Sequence, residues 1–226
     1  MKRGELRFAL FYEGTLRVFQ DRFDAGKQLA DKLKVYASQK PLIFALPRGG
    51  IPVGFVVAHA LKVPLHVLVA RKIGVPWQPE LGVGAIAPGV QIFNRDLLQE
   101  LDLKISDLTE IIKREEQELK RRLTLYGAEE NLEKIKGKTV ILIDDGLATG
   151  ITAEAALKSL NQWSPKKLIL AVPVGSPSTV EHLKKKVTEI ICLEMPSHFY
   201  AVGTHYIDFS QVSDEEVIEL LEQSRS

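Results

Sequence analysis

The residues VILIDDGLATGIT, at positions 140–152, decide how this chain is interpreted. Their four leading apolar residues predict a buried strand, and the run that follows Thr152 predicts a helix. Between strand and helix lie two adjacent carboxylates, Asp144 and Asp145, and a turn of small residues with two hydroxyls. Unpaired N–H groups at the start of a helix favour an anion. The carboxylates would repel that anion but can accept hydrogen bonds from ribose hydroxyls, so the pattern predicts a sugar-phosphate site.

This stretch closely resembles the motif with which the type I phosphoribosyltransferases bind PRPP (5-phosphoribosyl 1-diphosphate). In that family the acidic pair holds the ribose 2′- and 3′-hydroxyls, and the loop after it cradles the 5′-phosphate. The resemblance therefore assigns the ribose to Asp144 and Asp145. It assigns the 5′-phosphate to the loop residues Ala148, Thr149, Gly150, Ile151 and Thr152. Gly146 departs from the pattern, where a branched apolar residue is common, and is expected to make the loop more pliable.

A second motif, LPRGGIP at positions 46–52, follows the first predicted core strand. Its two glycines precede a predicted helix, and Arg48 adds a planar two-pronged donor suited to phosphate. On its own this motif is equally well explained as a tight turn. Beside the acidic motif it resembles the diphosphate loop of the family, which implies that the leaving diphosphate binds at Arg48, Gly49 and Gly50. The family loop usually contains a cis peptide bond, expected here between Pro47 and Arg48.

A basic segment rich in glycine follows the next strand. Residues 72–82 are predicted to form a long loop, and Arg71 and Lys72 place two cations at its start. The segment resembles the mobile catalytic lid of the family, which closes over PRPP and keeps water from the sugar cation. The resemblance implies that Arg71 and Lys72 act on the leaving group, with Glu80 as a weaker candidate. Surface charges beside a long loop are the alternative interpretation.

The sequence EMPSHFYAVGTHY, at positions 194–206, lies where the variable hood of the family is expected. Aromatic side chains there could stack on a flat acceptor. The candidates are Phe199, Tyr200 and Tyr206, with Trp77 from the lid. An equally good interpretation is that Phe199 and Tyr206 pack the last helix onto the core. The acceptor itself is not readable from the sequence, since a purine, a pyrimidine or an amine would all suit.

Short apolar strands alternate with helical patterns along the chain, which predicts a parallel or mostly parallel sheet. Helices are predicted at 24–36, 51–61, 106–126, 179–186 and 213–223, and strands at 41–46, 64–70, 84–87, 90–93, 140–143, 167–172 and 189–193. The resemblance covers about residues 23–221 and implies a three-layer α/β/α fold with a small C-terminal hood. We expect a single domain over residues 1–226, with its core at about 23–193 and the hood and last helix at about 194–226.

Composition narrows the class of protein. The 226 residues suit one large α/β domain, and 30 basic against 29 acidic residues leave a net charge of +1, which gives no field that favours nucleic acid. A single cysteine, Cys192, excludes an intrachain disulfide and favours a reducing compartment. The apolar segment 51–70 is interrupted by His59, Lys62, Pro64 and His66, so it is not expected to span a membrane, and the first residues are too polar for a signal peptide. We expect a cytoplasmic protein that does not enter the membrane.

As a whole the chain resembles an uncharacterised branch of the phosphoribosyltransferases in which these motifs occur in the same order. The resemblance implies a glycosyltransferase of nucleotide metabolism that moves the 5-phosphoribosyl group from PRPP to a nucleobase or amine and releases pyrophosphate. It also implies Mg2+, carried in with PRPP, for which Asp144 and Asp145 are the only candidate protein ligands. Homodimers are usual in the family.

Two other functions stay open. A PRPP or nucleotide sensor of the same fold would bind without catalysis, although a basic, hinged lid favours an enzyme. A phosphate-ester hydrolase with Asp144 as nucleophile would need further acids at other strand ends, and the sequence offers none there.

Overall fold

The computed structural model describes residues 18–128 and 132–224. In chain order its helices and strands are α1 (Arg22–Leu33), β1 (Leu42–Ala45), α2 (Gly50–Leu61), β2 (Leu65–Val67), β3 (Arg71–Val75), β4 (Gln78–Ala87), β5 (Val90–Phe93), α3 (Arg95–Glu100), α4 (Thr109–Leu125), β6 (Thr139–Ile143), α5 (Ile151–Asn161), β7 (Lys167–Val174), α6 (Pro177–Lys184), β8 (Glu189–Glu194) and α7 (Asp214–Gln223). Short 3-10 helices lie at Lys34–Gln39, Ile105–Leu108, Leu132–Ile135 and Val202–His205.

The main sheet has five parallel strands in the order β2-β1-β6-β7-β8. Every residue of β6 is buried, as expected for a strand covered on both faces. Its side chains alternate between two cores: Ile141 and Ile143 pack with α1 and α2, whereas Val140 and Leu142 pack with α5 and α6. The predicted α/β fold with a mostly parallel central sheet and helices on both faces is therefore confirmed.

A second sheet of three antiparallel strands, β3-β4-β5, replaces the loop predicted at residues 72–82. That prediction was wrong because glycine and proline, which are typical of loops, serve here to bring strands together. A β-carbon on Gly74 would lie 2.1 Å from the carbonyl oxygen of Pro79, so only glycine allows this pairing. The pairing register shifts between Ile73 and Val75, which accommodates the irregularity.

The hood contains both the beginning of the described chain and its C-terminal segment, residues 195–212. The Phe19 N–H donates to the His205 carbonyl at 2.9 Å, and the Ile207 N–H donates to the Phe19 carbonyl at 2.8 Å. The Phe19 and Tyr206 rings lie 5.4 Å apart. The sequence predicted a hood built from residue 194 onward, whereas the structure adds the residues that precede α1.

Gly146 is buried, and a side chain of the C-terminal segment fills the space that a side chain at position 146 would occupy. A β-carbon at this position would lie 2.5 Å from Cγ1 of Val202 and 3.0 Å from Cγ1 of Val174. The expectation of a pliable loop at Gly146 was wrong, because the glycine makes room for a packed valine.

We expect Gly146→Ala to lower the free energy of unfolding by about 1–3 kcal/mol, the usual cost of overfilling a packed core. Urea denaturation measures this change. Val202→Ala is the matched second change, since it removes the two methyl groups that the new β-carbon would meet. The double variant should recover part of the loss, and strictly additive losses would contradict this account of Gly146.

Candidate functional site

The carboxyl ends of β1 and β6 bring the two strongest sequence motifs into contact. The strands pair in parallel, and the Leu46 N–H donates to the Ile143 carbonyl at 2.9 Å, just before the acidic pair. A β-carbon on Gly49 would lie 1.9 Å from Oδ2 of Asp145, so no other residue fits there without displacing the carboxylate. The cis peptide bond expected between Pro47 and Arg48 is present.

The backbone of the loop between β6 and α5 is rich in unpaired donors. Among the described residues, none of the N–H groups of residues 148–153 donates a hydrogen bond to another residue. Gly150 precedes α5 without a side-chain cap, whereas side-chain oxygens cap α1, α3, α6 and α7. Free N–H groups at the positive end of a helix dipole form an anion site. The exposed Thr149 adds a hydroxyl to this loop.

The first turn of α6 holds the carbonyl side of the same loop. Thr179 is buried, and its Oγ1 donates to the Ala148 carbonyl at 2.6 Å. Gly150 has a φ of 72°, and a β-carbon there would lie 2.4 Å from Cγ2 of Thr179. Thr179 thus fixes the loop with its hydroxyl and its methyl group. The sequence does not reveal this role of Thr179, because the Ser-Pro-Ser-Thr run around it is an ordinary helix start and carries no signal of this contact.

Donors also remain in the predicted diphosphate loop, although not where the sequence placed all of them. The Gly50 N–H donates to the Leu46 carbonyl at 3.0 Å, so it is not free for a ligand. Among the described residues, the N–H groups of Arg48 and Gly49 donate to no other residue. The backbone donors of this loop are therefore Arg48 and Gly49, and Gly50 serves close packing against Asp144.

The Arg48 side chain extends toward α7. Its Nη1 lies 3.6 Å from Oδ1 of Asp214, which also accepts from the Tyr126 hydroxyl at 2.6 Å. Arg121 donates to the other oxygen of Asp214 at 3.2 Å. In this conformation the guanidinium that is expected to bind diphosphate therefore forms an ion pair with the Asp214 carboxylate.

Asp145 is fixed from three directions. Its carboxylate accepts from Nε of Arg22 at 2.8 Å, its carbonyl accepts from the Tyr206 hydroxyl at 2.6 Å, and its N–H donates to Oδ1 of Asp144 at 2.9 Å. Burial raises the pKa of Asp144 well above its usual range, and the charge of Asp145 raises it further. Burial also raises the pKa of Asp145, while Arg22 opposes that shift. Arg22 was missed because it lies 123 residues from Asp145 along the chain.

The two predicted lid cations are both paired. Arg71 donates to Oε2 of the buried Glu115 from Nε at 2.9 Å and from Nη2 at 2.6 Å, and so links β3 to α4. Lys72 spans the hairpin, with its Nζ 2.7 Å from Oε2 of Glu80, and lowers the pKa of that carboxyl. A β-carbon on Gly82 would lie 2.9 Å from Cδ of Lys72 and 3.3 Å from Cγ2 of Ile151, so the hairpin borders the start of α5.

Of the four aromatic candidates for the acceptor, two are exposed. Tyr200 and Trp77 keep 82% and 61% of their surface accessible and can present a ring face to a ligand. Phe199 stacks on His205 with ring centroids 5.6 Å apart. Tyr206 is buried between Phe19 and Phe209, with ring centroids 5.4 and 5.0 Å away, so its ring is not open to an acceptor in this conformation. Its hydroxyl supports Asp145 instead.

Within residues 18–128 and 132–224, no group of three or more His, Cys, Asp or Glu side chains is arranged to hold a metal ion. None of the helices described there is long and apolar enough to cross a membrane.

Comparison with known proteins gives consistent results. Residues 77–209 match the family described as Phosphoribosyl transferase domain. A Mycobacterium tuberculosis protein provisionally named a phosphoribosyl transferase is 39% identical over 210 residues, which are 92% of this chain and 47% of that protein. The chain thus spans about half the length of the curated relatives it matches. The uracil phosphoribosyltransferase of Aquifex aeolicus is 33% identical over 79 residues, 35% of this chain and 36% of that enzyme.

Among solved structures, the protein TT1426 from Thermus thermophilus is similar to this chain, with a TM-score of 0.71 and 36% sequence identity. The alignment covers 91% of this chain and 98% of that one. The similarity therefore extends over most of the chain.

We expect Thr179→Val to weaken the binding of ribose 5-phosphate about fivefold to tenfold, since it keeps the shape at Gly150 but removes one donated hydrogen bond of about 1 kcal/mol. Calorimetry with ribose 5-phosphate measures the change. Thr179→Ser is the matched control, because it keeps the hydroxyl and should bind more tightly than the valine variant. Equal affinities of the wild type and the valine variant would show that the Ala148 contact does not shape the loop.

Proposed function

Because the chain belongs to the phosphoribosyl transferase family, we propose that it transfers the 5-phosphoribosyl group of PRPP to a nitrogen atom of a nucleobase or amine and releases pyrophosphate. The observation that carries this proposal is the run of unpaired N–H groups at residues 148–153, which begins three residues beyond two partly buried carboxylates. Anion donors and ribose acceptors in such proximity suit a sugar phosphate better than either a simple phosphate or a neutral sugar.

The diphosphate end of PRPP fits the adjacent loop. Arg48 and Gly49 offer N–H donors beside Asp145, so a ribose bound at the acidic pair would direct its C1 substituent toward them. In the reaction the bond from C1 to the diphosphate oxygen breaks, the electron pair leaves with the diphosphate, and the acceptor nitrogen forms the new bond to C1 with its lone pair. The proton that this nitrogen then loses goes to solvent. Donors that face the leaving oxygens stabilise charge that develops only in the transition state.

The residues present fit Mg2+ only as a companion of PRPP. Two carboxylates are available, and Asp145 already pairs with Arg22, so Asp144 is the protein group best suited to hold the ion directly or through water. Oxygens of the diphosphate and ribose would complete its coordination. When bound, Mg2+ supplies positive charge to the leaving group.

The lid role is assigned to Lys72 in preference to Arg71. The carboxylate that holds Arg71 is itself buried, and opening such a pair would leave a buried charge uncompensated. The pair between Lys72 and Glu80 lies at the surface, where Glu80 keeps 91% of its side chain exposed. Breaking such a pair costs little free energy. Lys72 is therefore the cation that can turn from Glu80 to the leaving diphosphate.

A PRPP sensor is the second candidate function. The pairing of Arg48, Arg71 and Lys72 with carboxylates favours it, since none of these three cations predicted to act on the diphosphate is free in this conformation. The predicted homodimer, the cytoplasmic location and the role in nucleotide metabolism stay predictions.

Pyrophosphate release distinguishes the two functions. PRPP and Mg2+ are supplied with a panel of purines, pyrimidines and small amines, and pyrophosphate is measured against an Asp144→Asn control. This control is suitable because asparagine keeps the oxygen that accepts the Asp145 N–H. Release that depends on an acceptor and vanishes in the control supports the transferase and identifies its substrate class. Tight binding of PRPP without release above the control favours the sensor.

We expect Asp144→Asn to weaken PRPP binding at least tenfold, because a hydrogen bond to a charged acceptor contributes about 1.5–3 kcal/mol. Isothermal titration calorimetry in the presence of Mg2+ measures it. Asp31→Asn is the control for loss of a negative charge, since Asp31 is exposed on α1 and pairs only with Lys34 among the described residues. Unchanged affinity in Asp144→Asn would remove Asp144 from the ribose site.

For Lys72→Ala we expect turnover to fall at least tenfold while the dissociation constant of PRPP rises less than threefold, since the lysine would act on charge that forms in the transition state. Single-turnover kinetics and calorimetry separate the two quantities. Lys113→Ala, which removes an exposed lysine of α4, is the matched control. Parallel losses in binding and turnover would instead make Lys72 a ground-state ligand.

A further inference from the structure

Arg22, the first residue of α1, joins three parts of the molecule with one side chain. Nε donates to Oδ2 of Asp145 at 2.8 Å, and Nη1 donates to the Ser210 carbonyl at 2.8 Å. Cζ lies 3.8 Å from the centre of the Phe209 ring, within range of a cation–π interaction. Only 11% of the side chain is exposed, so these contacts replace most of its contact with water.

The guanidinium lies at the junction of the two ligand loops. A β-carbon on Gly49 would be 1.9 Å from the Asp145 carboxylate and 3.1 Å from Nε of Arg22. The ion pair thus occupies the boundary between the acidic pair and the diphosphate loop. Arg22 balances one of two adjacent negative charges at the place where a diphosphate would otherwise meet uncompensated carboxylates.

Attachment of the C-terminal segment does not require this arginine. Three backbone hydrogen bonds already join the chain before α1 to residues 205–208: Phe19 N–H to the His205 carbonyl, Ile207 N–H to the Phe19 carbonyl and Asp208 N–H to the Gln20 carbonyl, at 2.8–2.9 Å. A charged pair with only 11% and 15% of its side chains exposed is a costly way to add a further link. The contact with Asp145 is therefore better explained by what it does to the carboxylate.

We propose that Arg22 is a positioning residue of the PRPP site: it holds the Asp145 carboxylate in place for a ribose hydroxyl and couples it to the C-terminal segment through Ser210 and Phe209. This inference rests on the proposed function. Engagement of Oδ2 by Arg22 leaves Oδ1 of Asp145 as the acceptor for the sugar. Arginine suits the role better than lysine, because its planar fork reaches the carboxylate and the Ser210 carbonyl together while its face stacks on Phe209.

Calorimetric titration with PRPP and Mg2+ tests the proposal on the wild type, Arg22→Gln and Arg22→Lys. We expect at least tenfold weaker binding in the glutamine variant and about threefold weaker binding in the lysine variant, which keeps the charge but not the fork. Lys34→Gln, which removes an exposed charge just beyond the other end of α1, is the control and should bind as the wild type does. In an Asp145→Asn background the Arg22→Gln change should weaken binding less than threefold, because its target is absent.

A structural role would produce a different result. If Arg22 only stabilised the fold, the folded Arg22→Gln protein, checked by circular dichroism, would bind PRPP with wild-type affinity, and this outcome overturns the proposal. Should that variant fail to fold, wild-type affinity in Arg22→Lys overturns it equally. An equal effect of Arg22→Gln with and without Asp145→Asn would contradict the coupling. A wild-type chain that does not bind PRPP would refute the proposed function itself, which separates the two failures.

Discussion

The parallel pairing of β1 with β6 is the constraint on which the site depends. Because the two strands are neighbours and end at the same level, the loops that follow them must meet, and the Leu46–Ile143 hydrogen bond extends that pairing to the last residue before the acids. Gly49 can then approach Asp145 only because it has no side chain. A ligand that spans both loops can contact the carboxylates and the backbone N–H groups together. It would lie at the edge where open parallel sheets bind ligands.

Groups that favour a negatively charged ligand and groups that favour a positively charged one are neighbours in this site. N–H groups at residues 148–153 and at Arg48 and Gly49 favour anions, whereas the partly buried acidic pair between them favours hydroxyl donors or cations. Such an arrangement would be costly without compensation, and Arg22 supplies it for Asp145. Asp144 makes no ion pair among the described residues, which leaves it for the ligand or its metal ion.

A feature of the fold or of the site could be predicted from the sequence where the residues that form it are adjacent along the chain. The acidic pair and its loop are contiguous, so residues 140–152 predict strand, acids and helix start together, and the parallel sheet follows from the alternation of strands and helices. Arg22 and Thr179 act through contacts between distant parts of the chain, and no local pattern announces them. The hairpin was misjudged because Gly74 and Pro79 are ambiguous: the same residues that favour a loop also permit two strands to pair unusually closely.

Backbone amide hydrogen exchange, followed by NMR with three ligands, tests the central claim most directly. The account predicts that ribose 5-phosphate slows exchange at residues 148–153, that pyrophosphate with Mg2+ slows it at Arg48 and Gly49, and that PRPP with Mg2+ slows it at both. Protection at only one of the two loops in the presence of saturating PRPP would contradict the claim that the paired strand ends form a single site for both phosphate groups.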